Sequence, residues 1–436
     1  KSNRHKLGGV PASRARGAVG DAGAWLEGGL AGCLFLLPPL LVLADRGAAP
    51  LAAVAGLFAF GLVLVRPGRS LAALLPPAAI LAALVGWGAV STLWSIDPGR
   101  SLLMAARLGG LFAAGLALAA ASSRIAAPRR LFLALCAGTA LGMALALFDL
   151  ASAGGVSRYF TARPFIAPRL NQAAAWAVLL LLPIAALLLA RGRRLAALLA
   201  AAGLAATVCM LADTTAKVAL VASLPVAGVL CLRRAAMARL AAALAVLAIL
   251  TAPVILPQLA RLPGVFAAAD AFKSSAGHRL LIWSFAGDRI AERPFFGWGL
   301  DSARAIPGGK DAIRPGQSWL PLHTHDGPIQ VWLELGAPGA ALLALLAGWL
   351  FLSLGAAAWP PAYAAAAAGS LGAALIIAAS GWGIWEEWWI ATLEFAAFAI
   401  VALAPLAGAT PPPRRGRRGA GRSGRADASS DGSRRA

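Results

Sequence analysis

Charge is scarce in this sequence. Only 13% of its 436 residues are Asp, Glu, Lys or Arg, and 18 of those are acidic against 39 basic. A soluble domain carries about a quarter of its residues as charges, so most of this chain has no water-exposed globular surface to build. Histidine and cysteine are scarcer still, four of each. Cys33, Cys136, Cys209 and Cys231 all lie inside apolar runs, with neither a disulfide framework nor a zinc-type spacing, and the redox compartment is not legible from them. A persuasive cleavage site is also missing after the basic, small-residue stretch 1–23, which carries Lys1, Arg4, Lys6, Arg14 and Arg16. That stretch is therefore expected to be a disordered cytoplasmic tail.

What fills the sequence is apolar: 60% hydrophobic residues and a mean hydropathy of +0.75. Runs long enough to cross a bilayer fall at 25–43, 49–65, 71–93, 101–121, 131–150, 172–190, 195–212, 217–232, 240–257, 328–353, 361–380 and 388–408. The fold class is an all-α polytopic membrane protein of about twelve transmembrane helices. The expected layout is a tail 1–23, nine spans within 24–257, one large outer loop 258–325 containing short helices, three spans within 326–408, and a basic disordered tail 409–436.

The net charge of +21 and isoelectric point near 11.6 raise the question of a nucleic-acid partner. The basic residues answer it, because they sit in the tails and in alternate short loops. Arg66 and Arg69 follow the second span, Arg124, Arg129 and Arg130 the fourth, Arg191, Arg193 and Arg194 the sixth, and Arg233, Arg234 and Arg239 the eighth. This is the positive-inside pattern. It puts both termini in the cytoplasm and loop 258–325 outside, and it argues against nucleic acid.

Polar chemistry concentrates in 273–336, which holds three of the four histidines. Residues 277–293 have helical periodicity, with Arg279, Trp283, Ala286 and Ile290 on one face and Asp288 and Glu292 opposite. An arginine on the apolar face requires an anion or a carboxylate; it reads either as a ligand site or as a structural ion pair. Pro294 stops that helix, and Gly297 and Gly299 permit a tight turn. His323 and His325 form an HxH pair, and no carboxylate or thiolate spacing joins them and His278 into a tetrahedral metal site. His323, two residues away in a segment read as extended, is expected to point elsewhere than His325. Pro328 suits the first helical position, with Asp326 or Gly327 as cap. Gln330 and Glu334 then share a side; the buried Glu334 reads equally as a substrate group or as a member of a structural network. Lys217 opens the eighth span. Arg100 and Arg107 share a face of the fourth, and Arg158, Arg163, Arg169 and Asn171 lie in the outer segment 151–171. Each cation alone reads as an interface anchor, but together they suit an anionic lipid headgroup. The tryptophans of GWGIWEEWW at 381–389 read as an interfacial belt, with a sugar-stacking platform as the alternative.

Three stretches, STLWSIDPGRSL (91–102), GHRLLIWSFAGDRIAERPFFGWGLDSAR (277–304) and HDGPIQVWLELGAPG (325–339), resemble the O-antigen ligase family. That family includes O-antigen polymerases and bacterial protein O-oligosaccharyltransferases. The matching positions are Arg279, Trp283, Pro294, Gly297, Gly299, His325, Glu334 and Gly336, and with the span layout the resemblance covers about 24–408. It implies a metal-independent glycosyltransferase, without a cofactor, in the bacterial inner membrane. Such an enzyme moves a glycan from undecaprenyl pyrophosphate to an acceptor hydroxyl at the periplasmic face, in the ligases a hydroxyl of the lipid A core. By the same resemblance Arg279 stands for the pyrophosphate-binding arginine and His325 for the catalytic histidine. Lys217 stands where the family usually has arginine, which keeps the charge and loses the bidentate fork. Arg163 and Asn171 match a weaker family segment. The competing classes are a transporter, which should carry midplane polar sites and internal repeats that this chain lacks, and a non-catalytic scaffold, which would need neither Arg279 nor His325.

Overall fold

The computed structural model describes residues 12–67, 70–161 and 164–408. Its helices are α1 (Ala12–Leu43), α2 (Ala48–Val65), α3 (Leu75–Val90), α4 (Pro98–Ser122), α5 (Pro128–Ala151), α6 (Asn171–Ala190), α7 (Arg194–Met210), α8 (Thr214–Leu232), α9 (Arg234–Arg261), α10 (Pro263–Phe272), α11 (Ser274–Glu292), α12 (Gly327–Ala356), α13 (Pro361–Ala378) and α14 (Glu387–Leu403). The only described strands, β1 (Ala312–Arg314) and β2 (Gln317–Ser318), pair antiparallel as a small hairpin. Eleven helices are long and apolar enough to span a membrane; α7, with 17 residues, is apolar but shorter. These twelve occupy the twelve expected runs, and α10 and α11 are the short helices of the large loop. α1 begins at Ala12, inside the stretch expected to be a disordered tail, while 409–436 lie outside the described residues.

Backbone polar groups have no water partners in hydrocarbon, so apolar runs of this length close all their hydrogen bonds within a helix. Packing then sorts the helices. α6, α13 and α14 are the most enclosed, with Trp176, Trp389, Tyr363, Phe395 and Phe398 fully buried among them. The Ala-rich α13 lies against α6 and α8, as small residues let membrane helices approach closely. α9 packs along α12 and carries α11 on its C-terminal half.

Polar contacts mark the two ends of the bundle. At one end Arg66 pairs with Glu27 and donates to Arg124 O at 2.8 Å, and Arg124 Nε returns a bond to Arg66 O at 3.0 Å. At the same end Arg234 donates to the carbonyls of Leu354 and Trp359. The opposite end gathers the segments 91–97, 211–213, 294–326 and 379–386.

The large loop is fastened to α12 by backbone. Trp298 N donates to Leu333 O at 2.9 Å, Gly299 N to Glu334 O at 2.8 Å, and Ala337 N to Pro294 O at 2.9 Å. α12 is broken at Gly336 (φ 64°, ψ −160°), a conformation open in practice only to glycine, and a Cβ there would run into the carbonyl of Phe295. Gly297, at φ 67°, has the reciprocal constraint against Glu334 O. The glycines of the turn and of α12 thus serve one purpose, the seating of one backbone directly on another.

The aromatic run at 381–389 is not a surface belt. Trp385, Trp388 and Trp389 are buried, and Trp382, Trp388 and Trp389 form a mutual cluster with centroids 4.7 to 6.1 Å apart. A tryptophan indole satisfied inside a packed bundle gains more by burial than at the interface.

Candidate functional site

The histidine pair stands where the loop enters α12. Asp326 caps the helix, its Oδ1 accepting from Ile329 N at 2.7 Å, and Pro328 occupies the first turn. Burial pushes the Asp326 carboxyl up to about 7, against the stabilising Ile329 N–H. Just before the cap the chain turns abruptly: His325 has φ 56°, one of three non-glycine residues with positive φ among the described residues. Residues two apart share a face even in an extended segment, and His323 and His325 lie on the same side of this turn. Their rings meet edge to face at 4.2 Å, which corrects the expectation that His323 points elsewhere.

Hydrogen bonds fix the two tautomers oppositely. His325 Nδ1 lies 2.8 Å from Gly381 O; a carbonyl only accepts, so Nδ1 carries the proton and Nε2 is left with a lone pair. His323 Nδ1 accepts from His325 N at 3.1 Å, which places its own proton on Nε2. Burial pushes His325 down to about 4, and the charge of Arg279 adds to it while the Gly381 carbonyl opposes. His323 falls further, to about 3, through burial and then the neighbouring His325, Arg304 and Arg279. Both rings are neutral at pH 7. Neither Asp326 nor Glu334 bonds the His325 ring; Gly381 does that work.

Arg279 projects from the first turns of α11 toward this pair. Trp283, one turn on, donates to Thr324 O at 3.0 Å and so ties the helix to the histidine segment. Neither Arg279 nor Lys217 makes a hydrogen bond or an ion pair among the described residues. Burial lowers the Arg279 pKa and the more distant Asp213 carboxylate raises it; guanidinium remains charged. Asp213 caps α8, accepting from Ala216 N at 3.1 Å, and Lys273 reaches Thr214 Oγ1 at 3.2 Å. Burial raises the Asp213 carboxyl, with Arg279 and Lys273 opposing. The head of α8, where Lys217 lies in the first turns, is bound in turn to the 379–386 segment through Thr215 Oγ1 and Ser380 O at 3.0 Å. One residue on, Gly381 holds His325. Lys217, Arg279 and His325 are therefore borne by three elements locked to each other.

Other expected site residues lie elsewhere. Glu334 is fully buried and its carboxylate meets four donors: Trp385 Nε1 at 2.6 Å, Asp301 N at 2.7 Å, Gln330 Nε2 at 3.1 Å and Ala303 N at 3.3 Å. With both oxygens engaged it joins α12 to two loops, the structural-network role. Arg107 pairs with Glu387 at 2.8 Å. Asn171 starts α6, with its side-chain oxygen buried and unpartnered. Arg163 lies outside the described residues. His278 bonds Ser318 O at 2.8 Å and secures the hairpin. The sequence reading passed over Asp213, Lys273, Thr324 and Gly381. Asp213 alone had a signal, as a helix cap before TTAK; a carbonyl that orients a ring from 56 residues away has none.

Comparison with known proteins falls on the same region. Residues 199–344 match the family described as O-antigen ligase. A Rickettsia conorii protein named "Putative polysaccharide ligase" is 33% identical over 126 residues, 28% of this chain and 30% of that one. Its Rickettsia prowazekii counterpart, of the same description, is 35% identical over 124 residues, again 28% and 30%. The match thus spans about a third of the curated relatives' length. The segment from α7 to the middle of α12, which bears Lys217, Arg279 and His325, is the part of the chain that matches this family, and two of the three motif stretches lie within it.

Proposed function

We propose that this protein is a lipid-linked-glycan transferase of the ligase type. It takes a glycan from undecaprenyl pyrophosphate and joins it to a hydroxyl of a lipid A core sugar, at the periplasmic face of the bacterial inner membrane, with both chain termini cytoplasmic. The observation that carries this reading is the His325 tautomer. With Nδ1 donating to Gly381, the Nε2 lone pair is the group that can take a proton from an acceptor hydroxyl. The acceptor oxygen then bonds to the anomeric carbon, the bond from that carbon to the phosphate oxygen breaks, and the pyrophosphate leaves on its lipid. Its growing charge meets Arg279 and Lys217, which have no carboxylate within ion-pair reach among the described residues. Charge-assisted bonds to the departing group lower the barrier where charge develops. α8 and α9 keep apolar surface outside the bundle, so a polyprenyl tail has an apolar approach to the site. Val218 and Val221 of α8 and Val254 of α9 are exposed.

The test is the lipopolysaccharide of cells carrying His325→Ala in place of the wild-type gene. Complete core without O-chain supports ligation. Core bearing a single repeat unit makes the enzyme a polymerase instead, and an unchanged profile rejects both.

A further inference from the structure

A second polar concavity, of about 420 Å³, opens at the head of α4. It is lined by Asp97, Arg100, Leu103, Met104, Arg107 and Asp301, none of which the mechanism above uses. We infer that this groove is the acceptor subsite of the transferase, and that it takes a neutral, hydroxyl-rich saccharide. The inference rests on the transferase reading and adds to it where the acceptor lies and what class of sugar it presents.

The charges decide the class of ligand. Arg100 lies 3.4 Å from Asp97 and 3.2 Å from Asp301, and Arg107 lies 2.8 Å from Glu387. Every guanidinium is already matched by a carboxylate, in contrast to Arg279 and Lys217. An anion entering here would have to displace a carboxylate. A sugar hydroxyl has no such obstacle, since it donates to Asp and accepts from Arg at once. Leu103 and Met104 supply an apolar side for ring C–H groups, and the volume is that of an ordinary small-ligand site.

The backbone points to the same place. Among the described residues the non-glycine positive-φ positions are Ala153, Asp301 and His325. Such a residue is strained and persists where its surroundings over-determine it, which is most often at a functional site. One of the three is the proposed base and another presents its carboxylate to this groove. Both are set by Glu334: it accepts from Asp301 N, and it accepts from Trp385, in the segment whose Gly381 carbonyl holds His325. Arg304, beside this segment at 3.9 Å from Glu386, also bears on His323. The groove and the base are thus fixed relative to one another. Leu102 and Leu103, on the outer side of α4, are more than half exposed, so an acceptor anchored in lipid reaches the groove without leaving the bilayer.

The test uses the full-length protein in proteoliposomes, with extracted lipid-linked glycan as donor and O-chain-free lipopolysaccharide as acceptor. Gly99 stands at the groove mouth, and a Cβ there meets open space, so Gly99→Trp narrows the groove with the fold intact. It should raise the acceptor KM at least about tenfold with the donor KM within about twofold. Asp301→Asn should act in the same direction. Dephosphorylated core oligosaccharide should compete with the acceptor on the wild type and lose potency on Gly99→Trp, whereas inorganic phosphate should compete with the donor only. A raised donor KM with the acceptor KM unchanged gives the groove to the donor and overturns the inference, as does a change in neither. A wild-type protein that transfers no glycan under these conditions overturns the transferase reading and this inference together.

Discussion

Lowering the pH tests the proposed base directly. An unperturbed imidazole titrates near 6.5, and burial with the nearby Arg279 charge pushes His325 down to about 4. That corresponds to about 3 kcal/mol against the imidazolium. The sign follows from the role: a base must be neutral, so activity is full above the pKa and is lost as pH falls through it. At pH 5 a ring of pKa about 4 is still about nine-tenths neutral, and an unperturbed ring only about 3%. The assay is kcat/KM for the donor across pH 3.5–8 in short incubations, with return to pH 7 as the control for unfolding. Between pH 7 and 5 the rate should fall by less than about a fifth, against about twenty-fivefold for an ordinary histidine. The acid limb of kcat should lie at higher pH than that of kcat/KM, because a bound pyrophosphate offsets the Arg279 charge. A kcat/KM limb near 6.5 would refute the buried, neutral base.

Arg279→Ala should abolish transfer with the protein still folded, as judged by its thermal transition in detergent, and Lys217→Arg should keep activity; full activity in Arg279→Ala rejects the anion site. His325→Ala should cost at least about a hundredfold in kcat. His323→Asn, which keeps an acceptor for the His325 N–H, should be milder than His323→Ala, and equal losses would make His323 a chemical participant. A cysteine at the exposed Ala312, on the hairpin, should react with an impermeant maleimide in spheroplasts; labelling only after lysis would invert the topology.

Much of this was legible in the sequence, for definite reasons. The spans follow from hydrophobic length, and the alternation of basic loops is matched by the contacts of Arg66, Arg124 and Arg234, which gather at one end of the bundle. Asp326 and Pro328 were legible because caps are local. What escaped is non-local. His323 is a different case: residues i and i+2 of an extended segment share a face, so the expectation that it points elsewhere misjudged the alternation. The tryptophans of 381–389 look like an interface when only their spacing is visible, because burial depends on which helices surround them. Arg107 looked like a partner of Arg279 until Glu387, 280 residues away in sequence, took it up.

Glu334 is the residue whose two readings the sequence left equal, and one substitution separates them. All four neighbours of its carboxylate are donors, two at each oxygen. The Gln330 amide has no freedom to reverse, since its oxygen accepts from Ile384 N at 3.0 Å. In Glu334→Gln one oxygen becomes an NH2 that faces two N–H groups whichever way the amide turns. Two hydrogen bonds to a charged acceptor are then lost, about 1.5–3 kcal/mol each, or about 3–6 kcal/mol together. Against a total stability of about 5–15 kcal/mol, the isosteric change should lower the thermal transition sharply, release the 299–303 and 384–385 segments to proteolysis, and remove transfer by that route. Glu334→Asp, which keeps the charge but falls short of the donors, should do the same to a lesser degree. Were Glu334 a group that touches substrate, Glu334→Gln would instead leave the melting temperature and the protease pattern of the wild type and reduce kcat alone, and the framework role argued from its four donors would be wrong.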